Sequence, residues 1–183
     1  MRPAMSATFD EALSTFLSVR PRLFRIAYRM LGSAAEAEDI VQDAWLRWQA
    51  ADRGLVRDAA AFLVTTTTRL AINVMRSARA RRETCTGTWL PEPVDPGAGP
   101  PSRAERGQAL TRGLRLLLET LTPAERTAFI LREAFDYPYR DIAGVLRLRE
   151  ANARQVVTRA RQRVRCCHSA PPHPVNDMTR MRS

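Results

Sequence analysis

A chain of 183 residues has room for one ordinary domain or two small ones, and an apolar content of 45% excludes a wholly disordered protein. The formal net charge is +10, so a polyanionic partner is expected. The sequence contains no run of about 18 apolar residues, which excludes a membrane span, and no secretory signal pattern. We therefore expect a cytoplasmic protein.

The N-terminal part of the chain, residues 8–83, has the periodicity of a helical bundle. Residues 9–19 and 21–31 are amphipathic, and Gly32 stands where a helix end favours a left-handed residue. Ser33 is predicted to cap a third helix, whose first turn is acidic. One face of that helix combines polar and acidic groups with apolar surface: Asp39, Gln42, Asp43 and Leu46.

A fourth helix is predicted from Ala59 to about Arg82, with Asp58 as its cap. Its polar side is basic, because no acid occurs between Arg69 and Arg82. The candidate residues on this side are Arg69, Asn73, Arg76 and Arg79. An acidic patch and a basic patch on neighbouring helices suggest two partners, one of them nucleic acid.

Helical periodicity stops in residues 84–101, where prolines and glycines forbid a helix. We expect this segment to be an extended, proline-rich linker between the domain at 8–83 and a second domain at 102–165. Residues 166–183 are predicted to form a disordered tail. The expected fold is all-α, with two small helical domains joined by the linker.

Residues 122–165 have the pattern of a helix-turn-helix. Thr122 is predicted to open a helix with a capping box, and Pro138 to end it. A short helix at 139–146 then precedes a basic helix at 150–165. A short helix followed by a basic one is the arrangement that places the second helix in the DNA major groove.

Other chemistry has little support in the sequence. Cys166, Cys167, His168 and His173 have no usual zinc spacing, so neither a metal nor a cofactor is expected. No nucleophile–base pair is present, and we expect a protein that is not an enzyme. Asp39 and Asp43 also fit a simpler role as surface acids that stabilise the helix dipole.

Several motifs resemble those of bacterial sigma factors of the extracytoplasmic-function (ECF) group of the sigma-70 family. Residues 28–33 and 37–48 resemble sigma region two, and residues 76–83 resemble the basic end of the helix that reads the minus-ten element. The sequences WLPEP at 89–93 and FDYPY at 135–139 resemble the subgroup with a SnoaL-like C-terminal extension; that extension is absent from this sequence. Motifs of this length in this order are a specific signal.

The resemblance implies partners and roles. The partners are core RNA polymerase, through the clamp helices of its largest subunit and the flap of the second-largest subunit, and promoter DNA; an anti-sigma protein is a further candidate.

Residues 50–57 would hold a flipped minus-ten base. The implied core-binding residues are Asp39, Gln42, Asp43 and Leu46, and the minus-ten residues are Arg69, Asn73, Arg76 and Arg79. The implied minus-thirty-five residues are Arg154, Gln155, Thr158, Arg159, Arg161 and Arg163, the last two facing phosphates.

The turn before the basic helix departs from the family pattern. Family members usually have glycine at the position of Arg147 and often have serine at the position of Arg149. A non-glycine residue in a left-handed turn and a lost cap each cost on the order of 1 kcal/mol. We therefore expect a strained or rearranged turn.

Two other functions remain open. A stand-alone helix-turn-helix regulator would explain the C-terminal domain but not the acidic helix or the linker. A polymerase-binding adaptor without promoter recognition would explain the acidic helix, and it gains weight if the altered turn prevents duplex binding.

Overall fold

The structure, a computed structural model, describes residues 4–84 and 120–169. Regular structure in these ranges is entirely helical, which confirms the all-α prediction. The elements are α1 (Ala4–Leu31), α2 (Ala34–Ala50), a 3₁₀ helix (Arg53–Leu55), α3 (Ala59–Thr84), α4 (Pro123–Phe135), α5 (Tyr139–Leu146) and α6 (Glu150–Ser169). None of the helices in these ranges is long and apolar enough to cross a membrane. Of the linker predicted at 84–101, residues 85–101 lie outside the described residues, as do residues 170–183 of the tail.

Helices α1, α2 and α3 pack pairwise into an N-terminal group. Its centre is formed by fully buried side chains from all three helices, including Leu23, Val41 and Leu63. Trp48 is buried beside them, and its indole N–H donates a hydrogen bond of 3.1 Å to the Ala12 carbonyl. This bond ties the end of α2 to the N-terminal half of α1, which helps to fix the orientation of the α2 outer face.

The prediction that one helix ends at Val19 and another begins at Pro21 is wrong, because α1 is continuous from Ala4 to Leu31. Proline removes one backbone hydrogen bond from a helix interior. Pro21 lies on the exposed side of α1, where water can hydrate the carbonyl that it leaves unpaired. Phe16 and Leu23, on either side of it, are both buried in the same core. Packing therefore outweighs the local cost.

The predicted helix ends are confirmed. Gly32 has φ of 76° at the end of α1, and Ser33 Oγ accepts the Glu36 N–H at 3.3 Å. Asp58 Oδ1 accepts the Ala61 N–H at 2.9 Å at the start of α3. These caps set where α2 and α3 begin and hence which residues face outward.

Helices α4, α5 and α6 form a C-terminal group around Leu131, Ile142 and Val157, all fully buried. Helix α6 continues to Ser169, so the tail predicted from residue 166 is wrong for its first four residues. The physical reason is that neither glycine nor proline interrupts the helix before Pro171.

The two groups contact each other: α1 and α3 pack against α4, and α3 packs against α5. An extended, proline-rich linker was expected between them from the sequence. An extended linker sets an upper limit on the separation of two domains and no lower limit. Contact between the groups is therefore compatible with such a linker.

Candidate nucleic-acid interface

The outer face of α2 carries the four predicted core-binding residues. Their spacing of three, four and seven residues places them on one side of the helix, and all four are exposed: Asp39, Gln42, Asp43 and Leu46. Leu46 is 55% exposed, about one helical turn beyond Asp43. An apolar side chain next to acids can pack on a partner while the acids pair with basic groups.

A shallow groove next to this face was missed by the sequence reasoning. It lies between α1 and α2, and its lining includes Leu13, Leu17 and Trp45. An ion pair between Arg20 and Glu38 crosses its edge. Leu13 and Leu17 directly follow the buried Ala12 and Phe16, so the apolar stripe on α1 is wider than its buried part. That width was the available signal.

The basic side of α3 is only partly open. Asn73, Arg76 and Arg79 are exposed along it. Arg69 is half-buried instead, and its guanidinium donates to the carbonyls of Val145 at 3.1 Å and Gly144 at 2.8 Å. Burial lowers the pKa of Arg69, and the nearby positive charge of Arg147 lowers it further. The structure thus separates Arg69 from the three residues predicted to act with it.

The loop between α2 and α3 contains the 3₁₀ helix, which Asp52 caps through the Gly54 N–H at 3.1 Å. Leu55 in this loop is 80% exposed. The segment predicted to hold a flipped base therefore presents an apolar side chain to solvent, next to the N-terminus of α3.

Four predicted minus-thirty-five residues are exposed on α6: Arg154, Gln155, Thr158 and Arg159. Arg154 donates to Glu150 at 2.6 Å, and this bond raises the pKa of Arg154. Its guanidinium also lies 5.1 Å from the centre of the Tyr139 ring. Thr158 Oγ1 donates to the Arg154 carbonyl at 3.0 Å. The contacts with Glu150 and Tyr139 orient the Arg154 side chain near the end of α6 that is closest to the turn.

The remaining two, Arg161 and Arg163, contact α4. Arg161 donates twice to Glu133, at 2.6 and 3.0 Å, which raises the pKa of Arg161. Arg163 donates to Glu125 at 2.6 Å. Both arginines therefore help to hold α6 on α4, and their predicted contact with phosphate stays a prediction.

The turn before α6 has the expected strain. Arg147 ends α5 with φ of 56° and ψ of 46°, in the left-handed region. Its N–H and that of Leu148 both donate to the Ala143 carbonyl, the Leu148 bond at 2.9 Å. The turn is thus regular in hydrogen bonding despite its non-glycine residue, and it is strained rather than rearranged.

Metal binding has no structural support in the ranges 4–84 and 120–169, which contain no group of three or more potential ligands. Cys166 is an exposed free thiol near the end of α6. His173, considered above as a ligand, lies outside the described residues.

Comparisons with known proteins agree with this geometry. The sequence matches the family Sigma-70 region 2 over residues 15–81 and the family Sigma-70, region 4 over residues 111–164. The first range covers most of the N-terminal group and the second covers most of the C-terminal group.

Individual relatives are similar to both groups. The ECF RNA polymerase sigma factor SigJ of Mycobacterium tuberculosis is 43% identical over 155 residues, covering 83% of this chain and 49% of that protein. The probable ECF sigma factor SigI of the same species is 32% identical over 162 residues, covering 85% and 54%. The chain thus spans about half the length of the curated relatives that it matches.

Solved structures show the same fold. The crystal structure of M. tuberculosis SigJ aligns with a TM-score of 0.56 at 39% identity, covering 83% of this chain and 52% of that chain. The sigma factor RpoE of Bartonella quintana, solved in complex with the anti-sigma factor NepR, aligns with a TM-score of 0.61 at 21% identity, covering 90% and 99%. The 43% identity to an ECF sigma factor over 83% of this chain, together with both family matches in this order, shows that the protein belongs to the ECF sigma factors of the sigma-70 family.

Proposed function

We propose that the chain binds core RNA polymerase through α2 and directs transcription initiation at promoters with minus-ten and minus-thirty-five elements, which α3 and α6 recognise. One observation carries the proposal. A single chain presents an exposed acidic and apolar face on α2 together with exposed basic surfaces on α3 and α6, within segments that match sigma regions 2 and 4. Its place of action is the bacterial cytoplasm.

The α2 face is suited to a protein partner with basic side chains. Asp39 and Asp43 are exposed one helical turn apart, and neither is neutralised in the ion pairs within the described residues. Leu46, about one helical turn beyond Asp43, adds an apolar contact. We assign this face to the clamp helices of the largest polymerase subunit, and the C-terminal group to the flap of the second-largest subunit.

Promoter recognition divides between two surfaces. Asn73 and Arg76 on α3 would contact the minus-ten bases or the strand being opened, and Leu55 would border the flipped base. On α6, arginine side chains can bind guanine O6 and N7, and Gln155 can pair with adenine. Two weak contacts on one duplex gain affinity together when polymerase holds both surfaces.

An anti-sigma protein is a further candidate partner. The support is that the B. quintana neighbour was solved in complex with an anti-sigma factor. Such a partner would compete with core polymerase for the α2 face.

The test is transcription by purified core polymerase and this chain on a pool of templates with randomised upstream sequence. Sequencing of the transcripts would show two enriched elements if the proposal is correct. Core binding without initiation would favour the adaptor function. Two observations support that alternative: the turn before α6 is strained at Arg147, and the guanidinium of Arg69 is already bonded to carbonyls of α5. Duplex binding without any affinity for polymerase would favour a stand-alone regulator.

A further inference from the structure

The aromatic ring of Tyr139, the first residue of α5, contacts an arginine from each of the other two helices in the C-terminal group. The guanidinium of Arg132 in α4 lies 5.0 Å from the ring centre, and that of Arg154 in α6 lies 5.1 Å from it. Tyr139 is half-buried and packs against the core. One side chain from the first helix of the helix-turn-helix thus touches the arginine that is proposed to read a minus-thirty-five base.

The connection between α4 and α5, which has the sequence FDYPY, determines where Tyr139 lies. Asp136 ends α4 in the left-handed region, with φ of 52°, and the Tyr137 N–H donates to the Leu131 carbonyl at 3.0 Å. Pro138 then has an extended backbone, and its ring fixes φ, here at −65°. The hydrogen bond and the proline restrict the backbone of the connection, so α5 begins at Tyr139 in a defined direction.

Arg132 is held in place by the same connection. It donates to the Tyr137 carbonyl at 3.0 Å and pairs with Asp136 at 3.1 Å. Its side chain is 30% exposed, whereas that of Arg154 is 62% exposed. Of the two guanidiniums over the Tyr139 ring, one is therefore bound to the connection between α4 and α5, and the other is accessible to a ligand.

Arg154 has two partners, and they make different demands on its N–H donors. Glu150 accepts a hydrogen bond of 2.6 Å from one terminal nitrogen of the guanidinium. A guanidinium has five N–H donors, of which guanine O6 and N7 take two. The attraction to the Tyr139 ring comes from the positive charge and the ring quadrupole, and it needs no particular donor. The contact with Tyr139 can therefore persist while Arg154 binds guanine.

We propose that Tyr139 is a positioning residue for minus-thirty-five recognition, because its ring holds the Arg154 side chain in the conformation that reads the base. This role rests on the proposed function, and Tyr139 lies outside the set of residues predicted to contact DNA. An exposed arginine loses rotamer freedom when it binds a base, and a side chain that is already ordered loses less. Tyr139 thus sets the strength of base preference at the position that Arg154 reads.

Three replacements of Tyr139 separate the charge distribution of the ring from its bulk. The first, Tyr139→Phe, keeps the ring and removes the hydroxyl. That hydroxyl has a contact of its own, because the pKa of Arg161 is raised chiefly by Glu133 and to a lesser extent by Tyr139. The second replacement is a phenylalanine with three ring fluorines, which keeps the shape but loses the negative face of the ring. The third, Tyr139→Leu, removes the ring and keeps apolar bulk.

The measurement is sequencing of transcripts from the randomised template pool with core polymerase, and Arg154→Ala identifies the base position that Arg154 reads. Base preference there should fall by about two- to fivefold in the fluorinated and leucine variants, the size of an exposed cation–π contact, and stay unchanged in Tyr139→Phe. Tyr139→Leu added to Arg154→Ala should cause no further loss.

Equal preference in the phenylalanine and fluorinated variants, or an equal loss at every minus-thirty-five position, overturns the proposal. The first of these outcomes is decisive even if Tyr139→Leu does not fold, because the phenylalanine and fluorinated variants have nearly the same shape.

A second measurement needs no DNA. In NMR spectra of the free chain, the Nε–H signal of Arg154, assigned by its absence in Arg154→Ala, should be displaced by the ring current of Tyr139. The signal should move in Tyr139→Leu and stay in place in Tyr139→Phe; an unchanged position in Tyr139→Leu overturns the positioning role. If the chain never supports transcription, the proposed function fails together with the effect on base preference, while this signal still decides whether Tyr139 orders Arg154.

Discussion

Arg163 of α6 donates a hydrogen bond of 2.6 Å to Glu125 Oε2 of α4, an oxygen that also accepts hydrogen bonds within α4. The same Glu125 Oε2 accepts the Thr122 N–H at 3.0 Å and the Thr122 hydroxyl at 2.9 Å. Glu125 is buried, whereas the side chain of Arg163 is half exposed. The capping box of α4 therefore also anchors the far end of the proposed DNA-reading helix.

Replacing Glu125 with alanine should destabilise the C-terminal group by about 2–3 kcal/mol, because the substitution removes a helix cap and leaves Arg163 without its charged partner. The measurement is the free energy of unfolding in urea. Glu133→Ala is the matched control, since it removes an acid that pairs with Arg161 on the exposed surface, where such a pair contributes less than about 1 kcal/mol. Equal decreases in the free energy of unfolding would show that the buried Glu125 contributes no more to stability than the exposed Glu133.

Reversing the charge of the α2 face should abolish polymerase binding. In Asp39→Arg with Asp43→Arg, two exposed acids that would face basic groups become repulsive, while the core of the bundle is untouched. Co-purification with core polymerase is the measurement. Asp10→Arg with Glu11→Arg is the control, because it makes the same charge change at exposed positions of α1. If the α2 variant still co-purifies with polymerase, the assignment of this face is wrong.

The sequence was sufficient for features that depend on local chemistry. The N-caps are those predicted from the sequence, Ser33, Asp58 and Thr122. They were predictable because an N-cap involves residues only two or three positions away. The uninterrupted helix through Pro21 could not be predicted, since it depends on packing of Phe16 and Leu23 against other helices.

Long-range arginine contacts were equally inaccessible to sequence reasoning. Arg69 and Arg76 look alike in the sequence, on the same basic side of one helix. They differ because Arg69 lies next to the end of α5, a neighbour 75 positions away in the chain. Periodicity identifies the exposed face of a helix, but it does not show which part of that face another element covers.

Arg154→Ala should weaken minus-thirty-five recognition by roughly tenfold, which corresponds to the loss of one bidentate arginine–guanine contact. The measurement is sequencing of transcripts from the randomised template pool, where the variant should lose base preference at one or two positions. Arg140→Ala serves as the control, because it removes an exposed arginine from α5. It should lower the yield uniformly and leave base preference unchanged. An unaltered minus-thirty-five element with Arg154→Ala would contradict the proposed orientation of α6.

Replacing Arg147 with glycine should stabilise the helix-turn-helix by about 0.5–1 kcal/mol. The backbone of Arg147 is left-handed, with φ of 56°, a conformation that costs an L-residue about 1–2 kcal/mol. Glycine removes this strain, but it loses more conformational entropy on folding, which offsets part of the stabilisation. Arg147→Ala keeps the strain and removes the same positive charge near Arg69. Urea unfolding of the two variants therefore separates the effect of backbone strain from that of charge. The glycine variant should have the larger free energy of unfolding. If alanine stabilises the protein as much as glycine does, charge repulsion with Arg69 rather than backbone strain is the larger cost at this turn.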